Sequence, residues 1–389
     1  MLSKIDGQRL QKCLKVFDLV PDRPASKTWL PSLDGLRAIA VILVFLEHVT
    51  GNVLESSSGD RTLTTFFNFG HAGMGRSGVY LFFVLSSFLL TSQLLRPSVK
   101  FRSFSLWINY GFKRFIRIYP LYLFVLLVYV VFPSFKYSFH DLAAHLALQA
   151  AGNHFWTIPV EVKYYFILPG IAWLISKLTQ RSLSLAVLTM FSLMLISELI
   201  EATIWTSARL SVLPHLSIFL IGSLAALIHS QLLNQAEQPG RVKTAMEVLS
   251  ILAVLGIAIS LQTQPVHLAW LWLFGSEMPM VADNHWLYQL HGLLWAVLLV
   301  CHLHGRGWIS HALSWKPLRY IGVVSFGIYL WHIAVLGYLD AHLTLPGFAK
   351  VVAIAIVTVA VATVTYITIE KPTLRLRLLR PPSASLAYK

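Results

Sequence analysis

The chain has 389 residues, of which 56% are hydrophobic and only 12% charged, and its mean hydropathy is +0.66. A soluble domain carries about 25% charged residues, so the composition excludes a soluble enzyme, a secreted disulfide scaffold and a disordered tail. The net charge of +14 would suggest nucleic acid in a soluble chain, but here no nucleic-acid partner is expected: the partner is the lipid bilayer, and basic residues collect in cytoplasmic loops.

The apolar residues come in blocks of about 18–23, the length that crosses a bilayer. The expected fold class is all-α integral membrane, with about ten transmembrane helices and both termini cytoplasmic. The spans are predicted near 34–52, 78–95, 117–133, 157–176, 184–204, 212–230, 245–261, 285–303, 320–339 and 348–369. The stretch 267–284 is apolar but short and is broken by Gly275 and Pro279, so it is assigned an interfacial or re-entrant position. Loop charge sets the orientation. With the N-terminus inside, the inner segments hold Lys4 to Lys27, Arg96 to Arg117, Lys177, Arg181, Arg241, Lys243, Arg306, Lys316, Arg319 and the basic tail. The outer loops hold only Arg61, Arg76, Lys136, Arg209 and Lys350. The expected organisation is a cytoplasmic N-terminal segment over 1–33, a transmembrane domain over 34–370 and a basic cytoplasmic tail over 371–389. No cleavable signal peptide is expected. Cys13 and Cys301 form neither a CxxC pair nor a plausible disulfide.

Ionisable residues inside spans are costly, and each is a functional candidate. In the first span, LDGLRAIAVILVFLEHV, Arg37 and His48 lie 11 residues apart. At about 100° per residue they share a face, separated by roughly 16 Å along the axis. The plain alternative is an interfacial anchor plus a histidine satisfied by a neighbouring helix. Glu47 points away from that face. In KRFIRIYP, Arg114 and Arg117 at i, i+3 could make a fork for phosphate, or merely anchor the helix on the positive side. In FWTIPVEVKYYFILP, Pro159 interrupts the helix start, and Glu161 and Tyr165 share a face at i, i+4. Glu161 could orient His48, grip an acceptor hydroxyl, or pair with a snorkelling Lys163. Small and polar residues in FFVLSSFLLT, around Ser86 and Ser87, and in VSFGIYLWH, around Ser325, Tyr329 and His332, serve as packing glue as often as a site. His140, Asp141 and His145, and likewise Cys301, His302 and His304, lack the spacing of a zinc pattern, so no metal is expected. No Walker A or GxSxG pattern occurs, which argues against an ATP-driven pump and a serine hydrolase.

Taken in order, LDGLRAIA…EHV, FFVLSSFLLT, RFIRIYP, FWTIPVE, SFGIYLWH and EKP resemble the membrane acyltransferase-3 family, which includes O-acetyltransferases of bacterial surface polysaccharides. The resemblance covers residues 33 to 372. The departures are Ser87 for the usual glycine, Ile158-Pro159 for Leu-Ser, and Phe326 for tyrosine. The resemblance implies transfer of an acyl group, usually acetyl, from cytoplasmic acyl-CoA to a hydroxyl beyond the membrane. By position, His48 matches the family's catalytic histidine, and Arg37, Arg114 and Arg117 match its essential basic residues. Glu161 matches the glutamate of the WSLSVE block, and His332 and Glu370 match its C-terminal motifs.

The expectation is therefore a multi-pass O-acyltransferase of the bacterial inner membrane, with His48 and Glu161 catalytic and Arg37, Arg114 and Arg117 binding the donor. Ser86, Ser87, Tyr165, Ser325, Tyr329, His332 and Glu370 are supporting candidates. Acetyl-CoA is the expected donor substrate, with no permanently bound cofactor. The expected acceptor is a cell-envelope glycan such as O-antigen, lipid-linked or free, and a homo-oligomer is left open. The competing class is a transporter or flippase for a glycan or organic anion, in which the histidine and carboxylate would relay protons.

Overall fold

The computed structural model describes residues 19–20, 30–57, 73–150, 152–203, 210–235, 238–261, 268, 270–273, 275 and 285–376. Most of the N-terminal segment, most of 267–284 and the tail beyond residue 376 lie outside the described residues. Among the described residues every regular element is helical, as the absence of open strand edges in a bilayer requires.

Each predicted span overlaps a helix, and one of them, 320–339, overlaps two. The first four long helices are α1 (Ser32–Ser57), α2 (Met74–Leu94), α3 (Phe104–Val131) and, after the short α4 (Phe139–Leu146), α5 (Thr157–Arg181). Then come α6 (Leu183–Thr203), α7 (Leu216–Asn234), α8 (Gly240–Ser260) and α9 (His285–His304). The chain closes with α10 (Trp308–Leu313), α11 (Lys316–Val323), α12 (Ser325–His342) and α13 (Gly347–Thr365). A π turn, Tyr366–Glu370, follows α13 and leads into one last helical turn, Lys371–Thr373. Seven described helices are long and apolar enough to cross a membrane, or eight if α11 and α12 count as one bent span; α9 contributes a shorter apolar stretch, Gln289–His304. The protein is an all-α integral membrane protein.

One predicted span is corrected. The stretch 320–339 is not a straight helix: α11 and α12 meet at 71°. α11 is amphipathic, with Arg319 buried and Lys316 exposed. It lies directly on the start of α1, where a Cβ at Gly322 would meet the Asp34 carbonyl oxygen at 1.8 Å. Only glycine permits that approach, and the chain must turn to enter the bundle as α12.

α2 is the hub. It packs against α1, α5, α7 and α9, and its residues are buried on nearly every face. At its crossing with α7, a Cβ at Gly222 would stand 2.5 Å from the Val84 carbonyl oxygen, the small-residue contact that lets membrane helices approach closely. Polar side chains lock this seam: the Ser87 hydroxyl lies 2.9 Å from Tyr164 Oη and 2.8 Å from Ser223 Oγ, with Thr91 2.9 Å from Ser223. The Glu47 carboxylate accepts the Gly75 N–H at 2.6 Å, satisfying one of the donors left open at the start of α2. By contrast α6 and α8 turn Leu188, Phe191, Leu195, Leu252, Leu255 and Ile259 outward, as lipid-facing helices do.

Candidate functional site

A cavity of about 350 Å³ opens among α1, α2, α3, α5 and α12. Its lining joins residues from five of the six sequence motifs: Arg37, Ser86, Arg114, Arg117, Glu161, Tyr165, Ser325 and Tyr329 all face it. Leu374, just past the sixth motif, lines it too, while Glu370 reaches it through Arg117. The remaining walls are mainly apolar, from Val79, Phe82, Phe83, Leu89 and Ile118, with Gln93 and Thr157 as further polar groups. The cavity thus combines three arginines, a group of polar side chains around Glu161, and apolar walls.

The arginines supply the charge. Arg37 stands 3.5 Å from Asp34 at the start of α1. Arg117 pairs with Glu370, whose side chain is only 1% exposed and which the π turn presents; π turns recur at functional sites because they re-aim a side chain. Arg117 also lies over the Phe326 ring, 5.6 Å from its centroid, so the phenylalanine at this position keeps an aromatic face for the cation. Arg114 lies 5.8 Å from the Tyr165 centroid, and its buried Nε has no hydrogen-bond partner among the described residues. Arg117 is engaged by a carboxylate, and both arginines line the cavity.

The polar group centres on Glu161. It accepts hydrogen bonds from Ser86 Oγ at 2.7 Å and from Tyr165 Oη at 2.5 Å. Tyr110 on α3 in turn donates to the Tyr165 carbonyl at 3.0 Å, tying α3 to α5. Two donors on one oxygen hold the carboxyl group in place. Lys163 is not its partner, because Lys163 Nζ donates to the Leu210 carbonyl at 2.8 Å. Pro159 sits in the first turn of α5, where its missing N–H would have had no intrahelical acceptor.

His48 is half-buried and does not line the cavity itself. Its ring meets that of His332 with centroids 5.1 Å apart, and His332 in turn packs against the cavity-lining Tyr329, ring centroids 5.9 Å apart. Tyr329 Oη lies 2.8 Å from Thr157 Oγ1 and also donates to the His154 carbonyl. Glu161 is not what orients His48. The His48 Nδ1–H donates to the Val44 carbonyl at 2.9 Å, which fixes Nε2 as the basic nitrogen. Ser87 is likewise part of the α2–α7 seam rather than of the cavity.

Sequence reading missed His154, Thr157, Tyr110 and Gln93. His154 escaped because it precedes the predicted span 157–176, although it is 4% exposed and its ring centroid is 4.8 Å from that of His332. Among the described residues, no group of three His, Cys, Asp or Glu side chains is placed to hold a metal. His145 bonds Tyr122 at 2.9 Å and His302 bonds Ser32 at 3.1 Å.

A family model described as an acyltransferase domain matches residues 30–367. The chain is 26% identical to the protein YrhL of Bacillus subtilis, over 88% of this chain and 55% of that protein. It is 26% identical to the peptidoglycan O-acetyltransferase OatA of Listeria monocytogenes, over 80% of this chain and 50% of that protein. It is 22% identical to the O-acetyltransferase OatA of Staphylococcus aureus, over 82% of this chain and 52% of that protein. The chain thus spans about half the length of the curated relatives it matches. No solved structure matches it. With the family model covering most of the chain, and the motif residues gathered around one cavity, the chain belongs to the membrane acyltransferase-3 family.

Proposed function

We propose that the protein is an O-acetyltransferase that moves an acetyl group from cytoplasmic acetyl-CoA to a hydroxyl of an extracytoplasmic cell-envelope glycan. The observation that carries this reading is the cavity itself, whose lining brings together Arg37, Arg114 and Arg117 with Ser86, Glu161 and Tyr165 among apolar side chains. CoA is polyanionic at its nucleotide end and slim along its pantetheine arm. Its phosphates suit the arginine end, where Arg37, Arg114 and Arg117 line the cavity with positive charge. The arm, on the order of 15–20 Å long, matches the rise of roughly 16 Å from Arg37 to His48 along α1.

In this reading His48 is the general base. Nε2 removes the proton from the acceptor hydroxyl as its oxygen attacks the thioester carbonyl. The C–S bond then breaks, and the thiolate recovers a proton to leave as CoA–SH. Glu161, held by Ser86 and Tyr165, anchors the polar group past which the thioester moves. A relay through acyl-histidine is the competing order of steps. The named relatives point to peptidoglycan as the acceptor class rather than O-antigen. The membrane is the bacterial cytoplasmic membrane, with about ten spans and both termini inside.

The test is mass spectrometry of envelope glycans from cells with and without the chain, and with the chain carrying His48→Ala. An acetyl mass on peptidoglycan that needs the chain and His48 supports the reading. Glycans identical in all three strains would overturn it.

A further inference from the structure

Three imidazoles from three separate elements meet beside the cavity: His48 on α1, His332 on α12, and His154 in the 3₁₀ turn that precedes α5. The ring centroids are 5.1 Å apart for His48 and His332 and 4.8 Å apart for His332 and His154. Each ring gives its N–H to a backbone carbonyl. His48 Nδ1 donates to Val44 at 2.9 Å, His332 Nδ1 to Tyr329 at 2.7 Å, and His154 Nε2 to Leu330 at 3.2 Å. A carbonyl has no proton to give, so each contacting nitrogen carries one, and in the neutral ring the opposite nitrogen holds the lone pair. The backbone thereby assigns all three tautomers.

His332 Nε2 and His154 Nδ1 are buried and have no hydrogen-bond partner among the described residues. Buried acceptors without a donor are disfavoured and need an explanation. Two of them on rings that meet edge to face, one ring against His48, fit a site that receives a donor only at one stage of the reaction. A packing role alone would be served as well by an apolar ring.

We propose that His332 and His154 form a proton-holding array behind His48, with His154 the positioning residue that completes it. The proposal rests on the reading of His48 as general base. When the acceptor O–H bond breaks, its proton goes to His48 Nε2. The lone pair of His332, backed by that of His154, shares the imidazolium proton through one bridging water. When the C–S bond breaks, the proton passes to the thiolate sulfur. The sum is hydroxyl plus acyl thioester giving ester plus thiol, with no other reactant.

The test uses the full chain in liposomes with acetyl-CoA and a soluble glycan acceptor. His154→Gln keeps an amide N–H for the Leu330 carbonyl but removes the basic nitrogen. It should lower kcat by about 10- to 100-fold while the half-saturating acetyl-CoA concentration stays within twofold, because the arginine end is untouched. His332→Gln should do the same, and the double variant should be no slower than the slower single. On the unmodified protein, the rate in H₂O–D₂O mixtures should depend on deuterium fraction along a curve, as when more than one proton moves. That measurement decides the matter even if a variant fails to fold. A straight line, or a folded His154→Gln enzyme keeping more than half of wild-type kcat, overturns the array. Absence of turnover in the unmodified protein overturns the O-acetyltransferase reading instead, so the two failures are distinguishable.

Discussion

The ion pair between Arg117 and Glu370 joins α3 to the π turn across 253 residues of sequence, and its two partners should respond unequally to removal. The Glu370 side chain is 1% exposed and that of Arg117 is 26% exposed, facing the cavity. Removing one partner of a buried pair costs about 3–5 kcal/mol, because the other is left as an uncompensated charge. Arg117→Ala strands the carboxylate where no solvent reaches it, so that range applies in full. Glu370→Gln leaves a guanidinium that can turn toward the cavity, so the cost falls to about 2 kcal/mol. The double variant removes both charges and should be more stable than the sum of the singles by about 2 kcal/mol. The assay is denaturant unfolding in detergent micelles of the four proteins of the cycle. Additive single effects, or a Glu370→Gln protein as stable as wild type, would refute the claim that this pair fixes the π turn.

Other substitutions separate the functions of the site. His48→Ala should lower turnover by about 10²–10⁴ with membrane insertion unchanged, measured as acetyl-CoA consumption per folded protein; retention of half the activity removes His48 from the chemistry. Arg114→Ala should raise the half-saturating acyl-CoA concentration at least tenfold, in line with about 1.5–3 kcal/mol for a charge-assisted contact. Lysine should restore only part of it, whereas full rescue by lysine would make Arg114 an anchor. Gly222→Leu should destabilise the α2–α7 seam by about 1–3 kcal/mol, read as a lowered unfolding midpoint, since even a Cβ there meets the Val84 carbonyl oxygen at 2.5 Å. Cysteine labelling should find residues 98–112 and 375–389 cytoplasmic and residues 55–70 outside; an external C-terminus would mean that a span has been miscounted.

What the sequence made legible was whatever depends on length, hydropathy and helical spacing. The ten apolar blocks became helices because a bilayer leaves the backbone no other way to satisfy itself. The Glu161–Tyr165 contact followed from i, i+4 geometry. Partnerships set by tertiary packing were not legible. Nothing in RFIRIYP says that Arg117 pairs with a glutamate presented by a π turn, or that Arg114 lies over a tyrosine of α5. The 71° bend between α11 and α12 goes with a close seat of Gly322 on Asp34, a contact between distant segments. His154 stayed hidden because the rule used to find it examines only residues within predicted spans, and its partners His332 and Leu330 lie far along the chain. Ser87 was misplaced for the opposite reason. It belongs to the same helix as Ser86, but one residue further turns it about 100° from the cavity toward Tyr164 and Ser223.

The central claim is that an acetyl group enters at the arginine end and reaches a hydroxyl on the other side of the membrane. Sealed vesicles of known protein orientation, with labelled acetyl-CoA confined to one compartment and a peptidoglycan-derived glycan to the other, test it directly. The account predicts labelled glycan when acetyl-CoA is on the side of Arg37 and Arg114 and the glycan opposite, and none when the two are exchanged. Equal labelling in both arrangements, or none in either while intact glycan itself crosses the membrane, would contradict it.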